Sequence, residues 1–232
     1  MPIIEVEELE AFYGDMQALF GISLALAEKE CLALVGANGA GKSTLLRCLT
    51  GLNRNLHGRI RYDGAEISGN PAEAIARAGI AMVPEGRMLF ASLTVEENLT
   101  MGALTRRPGN WTLSRVYELF PILAERRAQM AITLSGGQQQ MVAIGRALMS
   151  NPRVMLCDEI SLGLAPVVIG QIYESFKTIR AEGMSLIVVE QDIARALSVC
   201  DRLVCLLKGQ VTLEQPADAV DMERLTSAYF GD

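Results

Sequence analysis

Histidine is almost absent from this 232-residue chain. With His57 the single copy, no imidazole cluster can ligate a metal. Five cysteines (Cys31, Cys48, Cys157, Cys200 and Cys205) are scattered, odd in number and without a Cys-x-x-Cys pair. That excludes a disulfide framework and a zinc site. Positive charge is also short: 21 Lys and Arg stand against 27 Asp and Glu, a net charge of -6, which argues against a dedicated nucleic-acid binder. No apolar run reaches the roughly 18 to 20 residues that span a bilayer; Leu203-Val204-Cys205-Leu206-Leu207 is only strand-length. Any membrane role must therefore come through a partner. Met1-Pro2-Ile3-Ile4-Glu5 has neither the basic stretch nor the apolar stretch of a secretory signal, so the expected compartment is the cytoplasm. Internal repeats and low-complexity segments are missing too.

What the chain does have is apolar side chains, 50% of its residues, enough for one well-covered domain with a small inserted subdomain. The first part reads as short strands and turns: residues 3–9, 22–27 with alternating apolar positions, and 31–35 as a buried run entering a glycine loop. A helix is expected from Lys42 to about Leu49, stopping at Gly51. Residues 58–64 read as a strand ending on the Asp63-Gly64 turn, and 80–83 as a central strand closed off by Pro84. Between about 88 and 149 the strand signal gives way to helical periodicity, with Thr94 as an N-cap. Thereafter strands (154–157, 185–189, 202–207) alternate with helices (167–181, 193–199), and Gln215-Pro216 is expected to part a helical tail from the sheet. Alternation of this kind implies a mostly parallel α/β sheet covered on both faces. The expected organisation is one domain, 1–232: an α/β core with an N-terminal antiparallel β subdomain over 1–87 and 150–232, and a helical subdomain over 88–149.

Gly36-Ala37-Asn38-Gly39-Ala40-Gly41-Lys42-Ser43-Thr44 fits Gly-x-x-x-x-Gly-Lys-Ser and lies between an apolar strand and a helix start, as a phosphate loop must. Glycines let the backbone wrap phosphates, Lys42 reaches the β- and γ-phosphates, Ser43 ligates Mg²⁺, and the helix adds its positive pole. Val154-Met155-Leu156-Cys157-Asp158-Glu159 is an apolar strand ending in two acids at the sheet edge where ligands of such folds bind. Alone it is most simply a solvated acidic turn. Behind a phosphate loop, Asp158 becomes the Mg²⁺ carboxylate and Glu159 the general base for an attacking water.

Leu134-Ser135-Gly136-Gly137-Gln138 follows. Ser-x-x-Gln is a capping box for the helix after it. A capping box needs no double glycine, however, and Gly136-Gly137 would leave the N–H groups of that helix open to a phosphate.

This pentapeptide, with the loop before it and Asp158-Glu159 after it, resembles the signature of the ATP-binding-cassette (ABC) ATPases, and essentially the whole chain is similar to their nucleotide-binding subunits. The resemblance implies a P-loop NTPase fold, ATP and Mg²⁺, and two ATP molecules held between paired subunits. Ser135, Gly136, Gly137 and Gln138 of one subunit would then close on the nucleotide of the other. It also implies that Tyr13 stacks on adenine, although a strand-edge core tyrosine is an equal reading of the residue itself. Glu85, in Val83-Pro84-Glu85-Gly86-Arg87, stands where the family has a glutamine contacting Mg²⁺. Gln191, in Val188-Val189-Glu190-Gln191-Asp192, stands where it has a switch histidine. Ala165 replaces a frequent aspartate and Ile160 a common proline. An amide cannot acquire charge, so hydrolysis is expected without a titrating switch residue.

These departures resemble the LivF-type ATP-binding subunits of branched-chain amino acid importers, with importers of urea, short amides or other amino acids as neighbours in type. That implies an ATPase peripheral to the cytoplasmic face of the inner membrane. Its partners would be a second ATPase subunit (the same chain or a related one), permease subunits and, indirectly, an extracellular solute-binding protein. Residues 88–98 offer either permease coupling or plain core packing. Two other classes compete. A soluble ABC ATPase acting on ribosomes or DNA would carry paired cassettes, a coiled-coil insertion or basic arms; a P-loop kinase or GTPase leaves Gly136-Gly137 unexplained.

Overall fold

A computed structural model describes residues 2–231; Met1 and Asp232, the end residues of the expected 1–232 domain and, for Met1, of the leader reading, lie outside them. Two apolar alternations open the chain, β1 (Pro2–Tyr13) and β2 (Met16–Ala27), paired antiparallel. Both run well beyond the expected 3–9 and 22–27. The cause is local: register shifts interrupt the ladder, and Glu8 and Gly21 have positive φ, so the period-2 pattern changes phase within each strand. After β3 (Cys31–Val35) and the helix α1 (Lys42–Leu49), β4 (Leu56–Tyr62) pairs with β1 and turns through Asp63 and Gly64, at φ 52° and 76°, into β5 (Ala65–Glu66). The resulting sheet has the order β2-β1-β4-β5.

The second sheet is assembled from distant segments. An unforeseen helix, α2 (Ala72–Ala78), precedes β6 (Ile80–Val83). Four helices follow: α3 (Val95–Gly102), α4 (Leu113–Leu119), α5 (Pro121–Glu125) and α6 (Gly136–Leu148). Then come β7 (Val154–Asp158), α7 (Pro166–Ala181), β8 (Ser185–Val189), α8 (Ile193–Leu197), β9 (Arg202–Leu207), β10 (Gln210–Pro216) and α9 (Met222–Phe230). Their order is β10-β9-β3-β8-β7-β6, parallel except for β10.

One expectation needs correction. β6 is an edge strand, paired only with β7, and Ala81 and Met82 are half-buried; a four-residue apolar run reads alike at the centre and at a covered edge. Gln215 and Pro216 are the last residues of β10, at the opposite edge, where the N–H that proline lacks is not needed for a ladder, and the tail helix α9 follows them.

Central strands are buried at every residue, because both faces are covered. On β3, Cys31, Ala33 and Val35 join a core with Ile144, Leu148 and Phe176, while Leu32 and Leu34 join another with Ile4, Leu9, Leu45 and Leu49. One strand therefore ties the antiparallel sheet to the helices on the other side. At its C-terminal end, beside those of β7 and β8, the chain turns into α1. No helix among the described residues is long and apolar enough to cross a membrane.

Candidate nucleotide-binding site

The loop after β3 is shaped by close backbone approaches. Gly36 lies at φ 146°, and a Cβ there would sit 2.2 Å from the carbonyl oxygen of Leu206, so no other residue fits without moving β9. Ala40 is buried and its carbonyl accepts from the Gly209 N–H at 3.0 Å, which ties the loop to the β9–β10 turn. Lys42, at the start of α1, is only 4% exposed; its Nζ donates to the carbonyls of Gly36 (2.7 Å) and Ala37 (3.1 Å) and lies 3.8 Å from Glu159 Oε1. Two backbone carbonyls thus hold the lysine's charge inside the loop.

Ser43 Oγ donates to Asp158 Oδ1 at 3.1 Å, joining α1 to the end of β7. Burial raises the Asp158 carboxyl above the usual carboxylate range; the Ser43 hydrogen bond opposes this, the charges of Glu159 and Glu85 add to it, and Lys42 relieves it slightly. Hard oxygen donors with surplus negative charge suit a divalent cation. No group of three or more His, Cys, Asp or Glu side chains among the described residues is spaced to hold a metal by itself.

Glu159 adopts a left-handed backbone, φ 45°, and its Oε2 accepts from Gln191 Nε2 at 2.7 Å. The same amide reaches Asn38 Oδ1 at 3.3 Å. Acid, amide and phosphate loop therefore form one connected group. Tyr13 stands outside the core, half-exposed, with its hydroxyl 3.5 Å from Thr44 Oγ1.

These residues border a cleft of about 800 Å³. Tyr13, Asn38, Gly39, Gly41, Lys42, Ser43, Thr44, Glu85, Glu159 and Gln191 line it, while Gly36, Ala40 and Asp158 form its frame behind them. Sequence reasoning missed Met16, Gln17, Ala18 and Phe20 of β2, Leu162, and Lys208 in the β9–β10 turn. The exposed Met16 and Phe20 interrupt the apolar alternation of β2, and that was the available signal.

Ser135, Gly136, Gly137 and Gln138 do not line this cleft. They open α6, where Ser135 Oγ accepts from the Gln138 N–H (3.4 Å) and Gln138 Oε1 from the Ser135 N–H (3.2 Å), a capping box. Ser135 is exposed and Gly136 half-buried. Gly137 is buried, and a Cβ on it would meet Val168 Cγ1 of α7 at 2.2 Å. One of the two glycines is thus a packing requirement. His57 is exposed, 3.5 Å from Glu10, and takes no part in the cleft.

A model of the ABC transporter family matches residues 19–161. The high-affinity branched-chain amino acid transport ATP-binding protein BraG of Pseudomonas aeruginosa is 44% identical over 232 residues, covering 99% of this chain and 100% of that protein. Among solved structures, a nucleotide-free ATP-binding cassette from an ABC transporter superposes with a TM-score of 0.85 at 26% identity, over 100% of this chain and 96% of the other. A dimeric bacterial ABC transporter cassette superposes with a TM-score of 0.81 at 26% identity, over 92% of this chain and 98% of the other.

Proposed function

The chain belongs to the ABC transporter family of ATPases, and from that membership and the cleft together we propose that it is the ATP-hydrolysing subunit of an importer for branched-chain or chemically related amino acids. The observation that carries the catalytic part is the Gln191–Glu159 hydrogen bond at 2.7 Å, which aims a carboxylate into the cleft beside Lys42.

In this reading the loop N–H groups and Lys42 bind the β- and γ-phosphates, and Tyr13 packs on the base. Ser43 and Asp158, with Glu85 beyond them, would hold Mg²⁺, which when bound neutralises charge on the phosphates. Glu159 accepts a proton from water as the water oxygen bonds to the γ-phosphorus and the bond to the β–γ bridging oxygen breaks. Gln191 holds Glu159 in line and does not itself take a proton. ADP and phosphate leave.

The signature residues stand apart from their own cleft, so they fit the nucleotide of a second ATPase subunit, a copy of this chain or a relative. The solute, the permeases and the place on the cytoplasmic face of the membrane follow from the importer reading. An apolar groove of about 460 Å³, lined by Leu52, Met82, Met88, Phe90 and Met101 among others, suits a permease helix. This favours the coupling role for 88–98 over core packing alone, since Met88 and Phe90 are exposed.

The test is Glu159→Gln. Turnover is expected to fall by about 10³ to 10⁵, with ATP binding retained. Unchanged turnover would remove Glu159 as the base.

A further inference from the structure

One buried carboxylate plays no part in that scheme. Glu190, between the end of β8 and Gln191, is 2% exposed, and no Lys, Arg or His side chain among the described residues lies within ion-pair distance of it. Two hydroxyls satisfy it. Its Oε1 accepts from the Tyr173 hydroxyl at 2.6 Å, and its Oε2 from Ser161 Oγ at 2.7 Å. Burial, then the neighbouring Glu190, pushes the Tyr173 phenol up, so it remains a donor. Burying a carboxylate is costly without such partners, and bonds to a charged acceptor are stronger and more directional than neutral ones.

The positions of the donors give the arrangement its meaning. Tyr173 belongs to α7, which packs in the core, whereas Ser161 belongs to the short segment 160–165 that joins Glu159 to α7. Consecutive residues at the end of β8 thus hold two points on either side of Ile160: Gln191 holds Glu159, and Glu190 holds Ser161. Glu159 itself stands at φ 45°, a conformation that a non-glycine residue keeps only where its surroundings over-determine it, and its own N–H donates to the Val189 carbonyl at 3.1 Å. The next residue, Leu162, is exposed and lines the cleft. An aliphatic residue at 190 could fill the same space, but it could not fix where Ser161 sits.

We infer that Glu190 is a positioning residue for hydrolysis: through Oε2 it clamps Ser161 and so holds the loop that presents Glu159 to the cleft, while Tyr173 satisfies its other oxygen. The inference rests on Glu159 being the base.

Steady-state ATP turnover and Tm of the full chain test it. Ser161→Ala is expected to lower kcat roughly ten- to a hundredfold, as displacement of a reacting group does, with KM for ATP changed by less than about twofold. Ser161→Thr, which keeps the hydroxyl, restores most of the rate. Glu190→Gln lowers kcat in the same direction, and adding it to Ser161→Ala costs no more than Ser161→Ala alone, as expected for one shared interaction. Tyr173→Phe, which spares the Ser161 bond and guards against a misfolded alanine variant, loses less than Ser161→Ala. The clamp is overturned by a native kcat in Ser161→Ala, by additive losses in the double variant, by kcat, KM and Tm falling together without rescue by threonine, or by a Tyr173→Phe loss as large as that of Ser161→Ala. Glu159→Gln separates the two readings: full activity there removes the base itself, whereas an inactive Glu159→Gln beside a native Ser161→Ala removes only the clamp.

Discussion

Gln191 donates to Glu159, the carboxylate we propose as the base, from an amide, a group that forms the same hydrogen bonds at any pH the cell reaches. A histidine in its place would change charge between about pH 6 and 7 and would then attract Glu159 as a cation. The kcat profile of the native chain is therefore expected to be smooth through that interval, and Gln191→His is expected to introduce a step there. His57, 73% exposed, lies outside the cleft. Measuring kcat against pH for native, Gln191→His and Gln191→Ala decides it: a native step that disappears in Gln191→Ala contradicts a non-titrating role.

At the scale of elements, α6 shows how one motif can serve two masters. Gly137 faces α7, and a methyl there collides with Val168, whereas a Cβ on Gly136 meets only the far end of the long Arg87 side chain, at 3.0 Å from Nη2. Gly137→Ala should destabilise the fold by about 1 to 3 kcal/mol through overpacking. Gly136→Ala should leave thermal stability unchanged or slightly raised, since alanine favours a helix by about 1 kcal/mol over glycine, while slowing hydrolysis in the paired subunits by covering the N–H groups of the signature. Tm and turnover, measured on both variants, separate packing from phosphate recognition; equal stability losses would mean that both glycines serve packing. The capping box around them was legible in the sequence because Ser135 and Gln138 satisfy each other locally, and the phosphate loop because its residue types recur at narrow spacing. Asp158 and Glu159 were legible once a loop stood upstream. The lateral order of strands was not, since a run such as 80–83 carries no sign of how many neighbours it will have. Nor were Phe20, Lys208 and Val168, which reach the site or the motif through pairings far apart in the chain. Glu190 was given no role from the sequence; only the fold brings Ser161 and Tyr173 to its two oxygens.

At the scale of the molecule, the segment after β6 borders two cavities at once. Glu85 faces the nucleotide cleft, while Pro84, Met88 and Phe90 face the apolar groove. Arg146 of α6 stabilises the groove side of this segment by donating to the carbonyls of Arg87 and Met88 and by lying 5.5 Å from the Phe90 ring centroid. The groove and the cleft therefore share one short stretch of backbone, residues 84–90. If the groove receives a permease helix, its far wall should matter for assembly and not for chemistry. Leu52, on that wall and 63% exposed, is the place to ask. Leu52→Glu puts a charge into an apolar contact while altering no buried group, so stability should stay within about 0.5 kcal/mol of native, and ATP turnover of the separate subunit should be unchanged. Co-purification with the native permeases, and solute uptake in cells, should both be lost. Uptake at the native level would place the docking surface elsewhere, and lost turnover in the separate subunit would mean that groove and cleft are one functional unit even before a partner arrives.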